Sequence, residues 1–294
     1  MEVDQVDQVR RFNRTVTQRV GALNDEFLAR DRPLGQARVL WEIGPDGCDV
    51  RLLRSRLDLD SGYLSRLLRA LENDGLVTVT QHDSDGRIRT ARLTDLGLAE
   101  RAVLDRRADL AAESILLPLS DRQRSRLVSA MAEVEQLMIA SMVQITVVEP
   151  GTAAARSCLR AYFAELGRRF DAGFDPNIGI SATDVEMSPP AGLFLLASLH
   201  DEPVGCGGLK LHADDATAEI KRMWVAPSAR GLGLGRRLLA ALEQRAAERG
   251  TRFVRLETNH NLAEAISLYR TAGYEEVPAF NDEPYAHHWF EKAL

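Results

Sequence analysis

Apolar residues in the first half of the chain recur at three- and four-residue spacing. Val6, Val9, Phe12, Val16, Val20, Leu23 and Phe27 trace one stripe, which predicts a long amphipathic helix. Pro33 opens a second helix through Trp41 that closes near Gly44-Pro45, and a third, short one runs from about Val50 to Leu57. Ser61 caps a fourth, with Leu64, Leu67, Leu68 and Leu71 on one face, and Asn73-Asp74-Gly75 stops it. Alternation then takes over in Leu76–Thr80 and Arg87–Leu93, two strands joined through Asp83-Ser84-Asp85-Gly86. Thr94 starts a helix to about Leu117. Pro118 breaks it, and Ser120 caps a last helix reaching about Met142.

From Ile145 strands and helices alternate. Strand 146–150, helix 152–170 and a loop from Phe174 to Pro190 lead into a hairpin of 193–199 and 204–211, turning at Asp201-Glu202-Pro203. Strand 219–225, helix 233–249, strand 252–257, helix 262–272 and a final strand around 285–291 follow. The pattern predicts two domains: residues 1–144, all-α with a β-hairpin, and residues 145–294, α+β. No Gly/Ser- or Pro-rich linker separates them, which predicts stiff coupling.

Composition narrows the class. The 294 residues suffice for two cores, and 45% hydrophobic with 27% charged is ordinary for a globular protein. No apolar run approaches the roughly 20 residues that span a bilayer, and the acidic start Met1–Asp7 lacks a signal peptide's apolar stretch. Cys48, Cys158 and Cys206 are odd in number and widely spaced, as expected of reduced, buried residues in a cytoplasmic protein. The net charge of −6 argues against nucleic acid as a partner of the whole surface. The segment Arg51–Arg92, with eight arginines against six acids, leaves room for a local basic face.

Helix, turn, helix and a two-stranded wing is a shape that sets its second helix in a major groove of DNA. The run from Asp60-Ser61-Gly62-Tyr63-Leu64-Ser65-Arg66 to Asn73-Asp74-Gly75-Leu76-Val77 resembles the recognition helix of the MarR family of winged-helix regulators. Asp83-Ser84-Asp85-Gly86-Arg87 and Leu93-Thr94-Asp95-Leu96-Gly97 resemble that family's wing and the start of its next helix, so the likeness covers about residues 5–143. With the leucines inside, Ser61, Tyr63, Ser65, Arg66 and Arg69 remain to face bases and phosphates, and Arg87 and Arg89 belong to the wing. Each arginine taken singly is also compatible with a solvated surface charge. The resemblance implies a homodimer interlocked by its first and last helices. The stripe of residues 6–27 and the run Leu127, Met131, Val134, Leu137, Met138 are compatible with that, and a dimer implies a pseudo-palindromic operator.

In the second domain Glu219–Pro227 reads as a strand ending at a proline, and Arg230-Gly231-Leu232-Gly233-Leu234-Gly235-Arg236 as a glycine-rich turn into a helix. Such a turn offers consecutive backbone N–H groups at the positive end of a helix dipole, where a pyrophosphate sits. The spacing Arg-x-x-Gly-x-Gly resembles the acetyl-CoA loop of the GNAT acetyltransferase superfamily, and Leu262–Tyr274 resembles its second signature. The resemblance implies a GNAT fold over 145–294 and acetyl-CoA as co-substrate, with no metal. It implies that the strand before the loop splays from its neighbour. Met223, Trp224 and Val225 would then hold the thioester and pantetheine, and Arg230, Gly231, Gly233, Gly235 and Arg236 the pyrophosphate.

The same likeness sets Tyr269 beside the sulfur as proton donor; the alternative is a packed aromatic. Where the family usually has asparagine, four residues before Ile266, this chain has Leu262, so Asn261 or Asn259 supplies a shifted contact or none. Glu219, two alternations before Met223, is the expected general base, although a plain ion pair with Lys221 fits as well. Tyr285 and His287 border the expected acceptor pocket; His287 and His288 point to opposite faces of a strand, which argues against a two-histidine metal site there.

Three functions fit these motifs. The first is a cytoplasmic regulator fused to an active N-acetyltransferase of a small primary amine. The second is a non-enzymatic sensor of acetyl-CoA or a metabolite. The third is an acetyltransferase merely dimerised by its winged-helix half.

Overall fold

The computed structural model describes residues 3–21, 28, 32–82, 85–171, 173–180, 182–212 and 216–294, without the side chains of Val3, His82 and residues 85–88. Leu23, Phe27, Asp83, Ser84 and the side chain of Arg87 therefore lie outside the described residues. The chain divides into two compact units, Met1–Met131 and Ala132–Leu294.

The first unit is built from α1 (Val3–Arg19), α2 (Leu34–Ile43), β1 (Cys48–Asp49), α3 (Val50–Leu57), α4 (Ser61–Asn73), β2 (Val77–His82), β3 (Asp85–Leu93) and α5 (Asp95–Leu116). It also holds the start of α6 (Asp121–Met142). Leu64, Leu67, Leu68 and Leu71 of α4 pack with Val39, Leu40, Leu53 and Leu104 in one core. Helix α4 is capped by Asp60, whose carboxylate accepts the Tyr63 N–H at 2.8 Å, and Ser61 is instead its first helical residue. An ionised acceptor makes the stronger bond to a backbone amide.

Strand β1 escapes a periodicity reading because two residues have no period; it adds to β3 through Cys48 opposite Ala91, giving the order β1-β3-β2. Gly97 is set by close approach, since a Cβ there would lie 2.0 Å from the Leu76 carbonyl oxygen. Thr94 caps that helix by accepting the Gly97 N–H at 3.0 Å and ties it to the turn between α4 and β2 by donating to the Gly75 carbonyl at 2.7 Å.

The second unit holds β4 (Gln144–Val148), α7 (Ala153–Arg169), β5 (Gly192–Leu199), β6 (Glu202–His212), β7 (Thr217–Val225), α8 (Leu234–Ala247), β8 (Phe253–Thr258), α9 (Ala263–Thr271), β9 (Glu275–Val277) and β10 (His288–Ala293). Its sheet runs β4-β5-β6-β7-β8-β10-β9. The β5–β6 hairpin turns at His200 and Asp201, both in the left-handed region at φ 51° and 61°. Glu202 and Pro203, expected in the turn, belong to β6 and pair with Leu199 and Ser198. The last strand begins at His288, which leaves Tyr285 and His287 in the segment before it.

One departure from a continuous sheet positions the site. β7 pairs in parallel with β8 only through Thr217, Ala218 and Glu219, and beyond that the two strands have no ladder between them. On its other edge β7 follows β6 with a bulge: Trp224 faces Cys206 and Lys221 faces Gly208, so Arg222 and Met223 together oppose Gly207. Arg222 takes φ 54° there.

Candidate active site

The parting of β7 from β8 opens two cavities that share a wall. One, of about 490 Å³, is lined by Met223, Trp224 and Val225, by Arg230, Gly231, Gly233, Gly235 and Arg236, and by the face of α9. The other, of about 110 Å³, is lined by Lys221, Arg222, Glu257, Tyr285 and an aromatic wall. Tyr162, Leu166, Met223, Leu262, Ala265 and Tyr269 line both, so a group passing from one to the other passes these side chains.

The glycine loop leaves the start of α8 open to the larger cavity. Gly231 and Gly233 sit at φ 80° and 70°, and a Cβ on either would meet open space within 4 Å, so backbone conformation rather than packing asks for glycine. Gly233 precedes α8, whose N-terminus has no side-chain cap. Its first N–H groups are thus available to a phosphate at the positive end of the dipole. Gly235 lies in the first turn, where a Cβ would press on Leu268 at 3.3 Å.

A buried carboxylate organises the rim. Glu165 of α7, 8% exposed, accepts two hydrogen bonds from Arg230 at 2.6 Å each and one from the Trp224 indole at 2.8 Å. Burial alone would raise its pKa; the Arg230 and Trp224 hydrogen bonds outweigh it, and the carboxyl titrates below its ordinary range. Arg230 therefore lines the cavity with one amino group held on Glu165 and its Nε on the Val225 carbonyl at 3.2 Å. Glu165 has no sequence signal. Only the packing of α7 against β7 brings it there.

Asn261 does not line either cavity; its side chain donates to the Arg169 carbonyl at 3.0 Å, and its own carbonyl accepts from Arg169 at 2.6 Å. Asn259 is turned to the Tyr285 carbonyl at 2.8 Å. Asn259 also lines the smaller cavity, and Leu262, where the resembled family has asparagine, lines both.

Tyr269 is 6% exposed and packs against the rings of Tyr274 and Phe290. Burial, reinforced by the negative charge of Glu257, pushes its phenol upward, so it holds its proton through the neutral range. Tyr162, on the opposite wall, is raised for the same first reason. It is a second phenol at the junction that sequence reading did not single out.

Glu219 is found elsewhere. It accepts from Lys221 at 2.7 Å and faces His212 at 2.9 Å, and it lines neither cavity. Burial would raise it, but Lys221 beside it brings it below the usual carboxylate range, which makes a weaker base. The bulge at Arg222 breaks the alternation that put Glu219 and Met223 on one face. Glu257 of β8 lines the smaller cavity instead. It accepts from the Lys221 ammonium at 2.5 Å and from Asn281 at 3.5 Å, and burial holds its pKa above the ordinary value despite the lysine. Tyr285 lines that cavity as expected, whereas His287 does not: its ring stacks edge-on against His260 at 4.2 Å. Among the described residues no cluster of three or more metal-ligating side chains is present.

In the first unit the outer face of α4 is as read. Ser61, Tyr63, Arg66 and Arg69 are exposed and Ser65 is half-buried, with the Arg66 guanidinium over the Tyr63 ring at 5.7 Å. Arg89 of the wing is exposed. Val6, Val9, Phe12 and Val16 on α1, and Met131, Leu137 and Met138 on α6, are exposed apolar side chains. None of the described helices is long and apolar enough to cross a membrane.

Comparison with known proteins agrees with both units. Residues 152–274 match the acetyltransferase (GNAT) family and residues 31–88 the MarR family. The chain is 37% identical over 94 residues to an IAA acetyltransferase of Azospirillum brasilense, covering 32% of this chain and 61% of that one. It is 31% identical over 124 residues to the uncharacterized N-acetyltransferase YjgM of Escherichia coli, covering 40% of this chain and 73% of that one. A solved acetyltransferase of the GNAT family from Staphylococcus aureus is 21% identical with a TM-score of 0.45, covering 51% of this chain and 99% of that one. With its splayed strand, glycine loop and buried tyrosine in one unit and the exposed polar face of α4 in the other, the chain belongs to the GNAT acetyltransferase family and carries a MarR-family domain ahead of the acetyltransferase one.

Proposed function

We propose that the protein is a bifunctional, dimeric regulator of the cytoplasm that transfers acetyl groups from acetyl-CoA to a small primary amine and binds a pseudo-palindromic DNA operator. The observation that carries the enzymatic half is the meeting of the two cavities at Met223, Tyr162 and Tyr269, with Glu257 on the acceptor side. Bound acetyl-CoA supplies a thioester carbonyl open to attack. The uncapped start of α8 holds its pyrophosphate, and Met223, Trp224 and Val225 align the acetyl arm on the edge of β7 that β8 leaves open.

Glu257 takes the proton of the acceptor ammonium, directly or through water. The nitrogen lone pair then forms the new C–N bond as the C–S bond breaks, and Tyr269 gives its proton to the departing thiolate. The second proton, shed by the new amide nitrogen, passes through solvent to restore the tyrosine, while Glu257 releases the first to solvent. A carboxylate raised by burial is the better base, and a phenol raised by burial is still protonated when the thiolate leaves. Glu219 is given the lesser task of holding Lys221.

The DNA half is supported by the exposed serines and arginines of α4 over a fully apolar underside. The apolar side chains exposed on α1 and α6 support a homodimer. Gly235→Val tests the donor site. Its side chain enters the start of α8, so calorimetric affinity for CoA falls by about tenfold or more. Unchanged affinity in a variant with a native circular dichroism spectrum rejects the assignment.

A further inference from the structure

The proposed pyrophosphate site at the start of α8 shares its cavity with two carboxylates, Glu165 and Glu264. An acid beside an anion weakens its binding unless a cation stands on the acid. Glu264 is covered by Arg169, whose two amino groups reach its oxygens at 2.5 and 2.9 Å. That arginine also donates to the Asn261 carbonyl at 2.6 Å and stands 3.4 Å from Glu165, so it is committed chiefly to the start of α9. The close partners of Glu165 are Arg230 and Trp224. A single turn of 3-10 helix, Pro227–Ala229, brings Arg230 back beside the end of the strand it has left. Its Nη2 meets both Glu165 oxygens at 2.6 Å, its Nε meets the Val225 carbonyl at 3.2 Å, and neither contact uses Nη1. The Arg230 side chain is 42% exposed while Glu165 is buried, so the guanidinium has one edge inside and another turned outward.

The carboxylate cannot follow that arginine outward. It sits on α7, and the Trp224 indole of β7 holds it at 2.8 Å from the other side. We infer that Glu165 is a positioning residue for the acetyl donor: it holds Arg230 by Nη2 so that Nη1 is presented to the pyrophosphate of acetyl-CoA before the ligand arrives. A free arginine surrenders rotamer entropy when it binds a phosphate, and one already held in place surrenders less. A planar guanidinium can serve two anions on different edges, which a lysine ammonium does not do in the same geometry. Glu165 has this role only if the glycine loop is the pyrophosphate site, and the two readings fail separately.

The experiment is a calorimetric titration of acetyl-CoA into the wild-type full chain, Glu165→Gln, Arg230→Gln and the double variant, each checked for folding by circular dichroism and thermal melting. Arg230→Gln is expected to weaken binding about 30-fold and Glu165→Gln about tenfold. With Arg230 already replaced, Glu165→Gln costs less than about twofold, because it acts through that arginine. A carboxylate that only stabilised the fold would cost the same in both backgrounds. Arg230→Lys, which leaves Glu165 in place, approaches the loss seen in Arg230→Gln, and it carries the test if Glu165→Gln does not fold. Undiminished affinity in Glu165→Gln, a loss of full size in the Arg230→Gln background, or wild-type affinity in Arg230→Lys overturns the role of Glu165. Wild-type affinity in Arg230→Gln overturns the reading of Arg230 as a pyrophosphate ligand, and the role of Glu165 with it.

Discussion

The two units hold their candidate residues differently, one on an exposed face and the other in a buried cleft. In the first, α4 hides four leucines and shows serine, tyrosine and arginine to solvent, so structure and proposed function occupy different faces of one helix. In the second, Glu257, Tyr269, Lys221 and Glu165 are buried or nearly so, and come from β8, α9, β7 and α7. An exposed face is a local property that helical periodicity reveals. A buried site is a meeting of distant segments, and the desolvation that makes it reactive also makes it depend on all of them.

That contrast predicts a descending series of effects. The largest is at the proposed base: Glu257→Gln should lower kcat by about 100- to 10,000-fold, while Glu219→Gln changes it far less. Steady-state thiol release on the same acceptor checks this, and equal losses in the two variants would return the role to Glu219. Next is Tyr269→Phe, expected to lower kcat by about 10- to 1000-fold with CoA affinity little changed, because it removes a proton and not a binding surface. If turnover persists, Tyr162 across the junction becomes the donor to test by the same substitution.

A change on the exposed face should be milder and cost no stability. Arg66→Ala is expected to weaken operator binding by about 1–3 kcal/mol and relax one base position per half-site, with the melting temperature unmoved. A selection from genomic fragments supplies the operator for that measurement, and recovery of no two-fold motif would favour a purely dimerising role for this unit. The smallest effect sharpens the electrostatics. Lys221 is the cation that draws Glu257 downward against burial. Lys221→Met should push Glu257 higher, and because the base must be ionised, the acid limb of the kcat profile should move to higher pH. An acid limb that stays in place in a folded variant argues that Glu257 is not the base.

What the residues determined by themselves is whatever short-range physics specifies. The leucine spacing of α4, the Thr94 cap, the left-handed Gly75 and the glycine turn into α8 were all legible, because each is settled within about one helical turn. So was the place of Tyr269 beside the glycine loop, through the run around it, and the residue lines both cavities. Short strands were not legible: β1 pairs through two residues and β9 through three, too few for a period. Glu219, expected as the base, lies outside both cavities for a related reason. Strand alternation assumes an unbroken ladder, and the bulge at Arg222 resets it, which also brings Arg222 beside Lys221 in the cavity. Glu165 and Glu257 carry no local signal at all. A carboxylate becomes a clamp or a base only once tertiary packing has taken it out of water and set an arginine, a lysine or an indole against it.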